Sequence, residues 1–133
     1  MLQFHNVSFT YPSAPSSLFT NLSLTFGKGW SGLVGPNGSG KTTLISLASG
    51  ELQPDSGHVR HVGLLVCCPQ RSEKPGDNER RLFDPFSWDS DRERLCRVLG
   101  VVPEWLDRWE TLSQGEQKRF QVAAVLAQKP DIL

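Results

Sequence analysis

The chain has 133 residues, with 14 Lys plus Arg balanced by 14 Asp plus Glu. This length holds at most one domain, or part of one, and the even charge gives no electrostatic case for binding a polyanion or an acidic substrate. No apolar stretch approaches the length of a bilayer crossing, and the opening MLQFHNVSF lacks the basic end and apolar run of a secretory signal, so a cytoplasmic chain with no membrane insertion is expected.

Leu2, Phe4 and the stretch Val7 to Phe9 predict an opening strand, which Tyr11 and Pro12 end in a loop rich in Ser and Pro. Leu18 to Phe26 alternates as a second strand with Leu22, Leu24 and Phe26 on one face, followed by the turn Gly27, Lys28, Gly29. Trp30, Gly32, Leu33 and Val34 read as a short buried strand. Residues 35–42, GPNGSGKT, then match the phosphate-loop pattern G-x-x-x-x-G-K-[ST], and Lys41 to Ser49 predicts a helix that Gly50 ends.

Gly38, Ser39 and Gly40 are small enough for backbone N–H groups to converge on a phosphate chain, and a helix N-terminus adds partial positive charge there. Lys41 is placed to hold the β- and γ-phosphates, and Thr42 to give its hydroxyl to Mg²⁺. The predicted phosphate-binding set is Gly35, Asn37, Gly38, Ser39, Gly40, Lys41, Thr42 and Thr43. A Gly-rich turn that merely caps a helix is the plainer alternative, but four fixed positions seldom coincide by accident.

Pro54, Asp55, Ser56 and Gly57 form a turn cluster leading into a strand at His58 to His61, and the apolar run Val62 to Cys68 stops at Pro69 and Gln70. Cys67, Cys68 and Cys96, odd in number and without a C-x-x-C pair, read as reduced thiols. Strand alternation sends His58 and His61, and likewise Cys67 and Cys68, to opposite faces, which argues against a metal site built from the four. Residues 71–91 are polar and broken by Pro75, Gly76 and Pro85, the pattern of a linker or mobile loop. Asp91 to Leu99 has helical spacing with Leu95, Val98 and Leu99 inward. Trp105, Leu106 and Trp109 suggest another short helix with an aromatic core stripe. Gly115 to Gln128 predicts a longer helix with an apolar face of Phe120, Ala123, Ala124 and Ala127, and with Ser113 near its N-cap.

The run LSQGE at Leu112 to Glu116 lies downstream of the phosphate loop and opens that last helix. With Tyr11, GPNGSGKT and Gln70 it resembles the ATP-binding cassette (ABC) ATPases, whose signature is LSGGQ; this chain departs at Gln114 and Glu116 and keeps the Ser and Gly. The resemblance covers essentially the whole chain. It implies an α/β, P-loop NTPase cassette: 1–70 as antiparallel β region and P-loop core, 71–111 as linker and small helical subdomain, and 112–133 as signature, its helix and the start of the next strand. It further implies ATP and Mg²⁺ as cofactors, Tyr11 stacking on adenine, and Gln70 sensing the γ-phosphate through Mg²⁺ or the attacking water. Lys41 and Gln70 are thus the candidate catalytic residues, and Thr42 and Gln70 those for the metal.

Ser113 and the amides around Gly115 read as a second anion site at a helix N-terminus. The resemblance implies a head-to-tail pairing with a second cassette, each ATP lying between one phosphate loop and the other chain's Ser113 and Gly115. VSFTYP, the short insert after Gln70 and LSQGEQKRFQVAAVLAQKPDIL look most like the soluble ABC-F type, which brings the ribosome into view as a partner; the alternatives are a transporter's nucleotide-binding subunit, partnered by a transmembrane subunit, and a non-catalytic ATP-binding module. The Asp, Glu and His that the family uses for Mg²⁺, water activation and γ-phosphate contact would, by the resemblance, lie beyond Leu133. A truncated cassette that binds ATP without useful turnover, and that is marginally stable by itself, is therefore expected.

Overall fold

The computed structural model describes all residues from Met1 to Leu133 and divides them into two compact units, Met1–Leu65 with Ile132 and Val66–Asp131 with Leu133. In the first, β1 (Leu2–Phe9) is the centre of an antiparallel three-stranded sheet, flanked by β2 (Phe19–Phe26) and β3 (Ser56–His61). Helix α1 (Lys41–Ser49) packs Leu44 and Leu47 onto Phe4, Val7 and Phe9 of β1.

Simple alternation cannot put Phe4, Val7 and Phe9 on one face, because their spacing changes from odd to even. The ladder solves this with register shifts: three steps along β1 (Phe4 to Val7) match two along β2 (Leu24 to Leu22), and three along β2 (Leu22 to Phe19) match two along β1 (Val7 to Phe9). An asparagine in the left-handed region sits within each shift, Asn6 at φ 48° and Asn21 at φ 51°. Such bulges re-aim the side chains that follow, and Asn tolerates this backbone better than most residues. On the other edge Gly57, at φ 79°, passes so close that a Cβ would lie 2.3 Å from the Asn6 carbonyl oxygen. Leu22 and Phe26 join the core as expected of β2, whereas Leu24 is exposed.

The expected buried strand at Trp30 to Val34 does not form: residues 30–36 have no regular structure, and Trp30, Leu33 and Val34 are exposed. A parallel strand needs hydrogen-bonded neighbours and covered faces. The chain gives this segment neither, and its one parallel contact is an isolated bridge between Leu65 and Ile132, with Ile132 N–H donating to Leu64 at 3.1 Å. The run ahead of Gln70 is likewise not a continuous strand.

The second unit is helical. Helix α2 (Asp77–Leu82) lies within the stretch expected to be linker, α3 (Ser90–Leu99) follows, two 3₁₀ turns (Pro103–Trp105 and Trp109–Thr111) take the place of one short helix, and α4 (Gln114–Leu126) completes it. Their core gathers Leu82, Cys96, Trp105, Trp109, Phe120 and Ala123. Along α3 the inward residues are Leu95, Cys96 and Leu99; Val98, expected inward, is 75% exposed because the buried stripe is centred about a third of a turn away. Burial pushes the Cys96 thiol above its ordinary pKa. No helix is long and apolar enough to cross a membrane.

Candidate functional site

GPNGSGKT leads into the N-terminus of α1, so the phosphate loop stands at a loop-to-helix junction. Gly38 (φ 82°) and Gly40 (φ 89°) take left-handed backbone conformations, and a Cβ at Gly40 would come within 2.7 Å of the Phe19 ring. Only glycine allows β2 to approach the helix start so closely. Lys41 Nζ folds back over the loop, donating to the carbonyls of Gly35 at 2.9 Å and Pro36 at 2.7 Å, with Ser39 Oγ at 3.5 Å. Asn37 and Thr42 are exposed, while Thr43 is buried and shares a 2.9 Å hydrogen bond with the Tyr11 hydroxyl.

Three helices have more than two turns, and their N-termini differ. Asp89 caps α3 by accepting from Arg92 N–H at 2.8 Å, and Ser113 with Glu116 caps α4. Helix α1 has no side-chain cap and no acidic residue in its first turn. Its first-turn amides and dipole are thus left for an external anion, with the Lys41 ammonium beside them. Phosphate oxygens fit this donor set. The exposed Thr42 hydroxyl suits a hard cation accompanying them.

Ser113 and Gly115 are exposed, as a second anion site requires, but the N-terminus of α4 already holds a carboxylate. Ser113 donates from both N–H and Oγ to Glu116 Oε2, each at 2.7 Å, and Ser113 Oγ accepts from Glu116 N–H at 3.2 Å. This is a reciprocal capping box, legible in the spacing S-x-x-E although not part of the expectation. The Ser113 hydroxyl and, next, its amide hold the Glu116 carboxyl below its ordinary pKa of 4.5. A depressed folded-state pKa stabilises above the unfolded value and fades as pH falls through the folded one. Loss of the N-cap hydroxyl in Ser113→Ala is expected to lower stability by about 1 kcal/mol at neutral pH. The difference should shrink below about pH 4.5; denaturant titrations at pH 7 and pH 3.5 check it, and an equal difference at both contradicts the assignment.

Gln70 is exposed in the second unit, on a groove it shares with Arg71, Glu110, Gln114 and Lys118. Residues on either side of it are tied to α4 and its approach: Lys118 Nζ donates to the Pro69 carbonyl, Gln121 Nε2 to Ser72 Oγ at 3.1 Å, and Trp109 Nε1 to the Ser72 carbonyl at 3.1 Å. No local sequence signal marks these three anchors, since each contact spans 37 residues or more. The described geometry thus gathers Tyr11 and Gly35 to Thr43 in one unit and Gln70, Ser113 and Gly115 in the other.

The family model described as ABC transporter matches residues 19–133. The chain is 36% identical over 110 residues to the zinc import ATP-binding protein ZnuC of Alcanivorax borkumensis, covering 76% of this chain and 42% of that protein. It is 28% identical over 158 residues to the energy-coupling factor transporter ATP-binding protein EcfA1 of Lacticaseibacillus paracasei, covering 100% of this chain and 57% of that one. Among solved structures, a metal-chelate type ABC transporter in an inward-facing conformation superposes with a TM-score of 0.71 at 21% identity, covering 97% of this chain and 56% of the other. The chain therefore spans about half the length of these relatives.

Proposed function

We propose, since the chain belongs to the ABC transporter family, that it is the ATP-binding portion of an ABC-type ATPase. The observation that carries this reading is the N-terminus of α1, the one long helix with neither a side-chain cap nor an acidic first turn, with Lys41 poised over the same loop. In the proposal the loop amides and Lys41 take the β- and γ-phosphates, and Thr42 holds Mg²⁺. When bound, the metal neutralises phosphate charge. Tyr11 offers its ring to the adenine. Calorimetric titration of the chain with ATP in the presence of Mg²⁺ should give saturable binding; no binding overturns the proposal.

For the longer protein we assign ATP hydrolysis in a head-to-tail pair of cassettes, with Ser113 and Gly115 contacting nucleotide held by the partner. The relatives, import and transporter ATP-binding proteins by name, favour a subunit that works with a transmembrane partner over the ABC-F type. In a chain extended to the relatives' length, Ser113→Ala should spare ATP binding by the monomer and weaken ATP-dependent pairing. Loss of monomer affinity instead would remove the shared-site assignment.

A further inference from the structure

Tyr11 is held at both ends. Its ring packs edge-on against the buried Phe9, centroids 4.9 Å apart at 86°, and its hydroxyl bonds Thr43 Oγ1 at 2.9 Å in the first turn of α1. The segment carrying it is closed by Leu18 N–H donating to the Phe9 carbonyl at 2.9 Å and by the Tyr11 to Ala14 turn, whose N–H to O distance is also 2.9 Å. The residue is nevertheless 40% exposed. An aromatic needed only as a stacking platform has no use for a hydroxyl. Here the hydroxyl reaches a buried threonine two residues after Lys41, so the platform is tied to the helix that starts at the phosphate loop.

We infer that the Tyr11 hydroxyl and Thr43 form a positioning pair, which fixes the exposed ring at the rim of the phosphate loop so that it meets the purine of a nucleotide whose phosphates the loop holds. The inference rests on the nucleotide-binding reading and adds to it a pre-set spacing between base platform and phosphate site. Without the bond, the ring must be ordered at the moment of binding, which costs affinity for base-bearing ligands only. Phosphate alone does not engage the ring.

The test titrates the whole chain with ATP and with inorganic tripolyphosphate, both with Mg²⁺. Tyr11→Phe keeps the aromatic face and should weaken ATP about 3- to 10-fold, the cost of ordering one side chain on binding, while leaving tripolyphosphate unchanged. Added to Thr43→Val, it should cause no further loss for ATP. Unchanged ATP affinity in Tyr11→Phe, an equal loss for both ligands, or additive losses in the double variant would each overturn the positioning role. A wild-type chain that binds neither ligand would instead remove the nucleotide-binding reading on which the pair depends.

Discussion

Phe120→Ala is expected to destabilise the helical unit strongly. Phe120 is 0% exposed and is ringed by aromatics: Phe83 at 5.8 Å, Trp109 at 5.7 Å and Trp105 at 6.3 Å between ring centroids. The Arg119 guanidinium lies over the Trp105 ring, 5.3 Å from its centre. Truncating a fully buried Phe costs about 3–5 kcal/mol, because the transfer energy is lost and the cavity closes only partly. Three rigid rings around it resist collapse. A domain of this size has about 5–15 kcal/mol in all, so the variant should lose a large share of its stability. Guanidinium unfolding followed by tryptophan fluorescence, with Trp105 and Trp109 as reporters, measures it. Val98→Ala, on the exposed face of α3, is the control and should shift stability by less than about 0.5 kcal/mol. Similar midpoints for the two variants would contradict the packing described.

Lys41→Ala should weaken ATP binding by about 10- to 150-fold, the range given by about 1.5–3 kcal/mol for hydrogen bonds to a charged group at about 1.4 kcal/mol per tenfold. The ammonium now rests on two loop carbonyls, and a phosphate chain offers it charged oxygens in their place. Because these contacts are at the surface, the melting temperature should barely move, which separates lost binding from lost folding. Calorimetry with ATP, repeated at higher salt, tests both statements; unchanged affinity in the variant would end the role assigned to Lys41.

Wherever one segment carried its own instructions, the sequence sufficed. Lys41 to Ser49 forms the expected helix and Gly50 ends it, because phosphate-loop glycines, helix formers and a C-cap lie within sixteen consecutive residues, 35–50. Ser113 caps α4 for the same reason, its partner being three residues away. Helix α2 was hidden because its six residues carry only Leu82 as an apolar side chain; so short a helix exists through docking, and Leu82 is 1% exposed in the cluster with Phe120.

The strands show the same division. Composition announced β1 and β2, but the bulges at Asn6 and Asn21 are chosen only when Phe4, Val7 and Phe9 must all face Leu44 and Leu47 of a helix some forty residues further along. Trp30 to Val34 has the composition of a buried strand and remains irregular, since backbone N–H and C=O groups make a strand only where another segment pairs with them. The phosphate loop and the capping motif were thus written locally. Which faces turned inward, and whether an apolar run became sheet, was decided by partners distant in the chain.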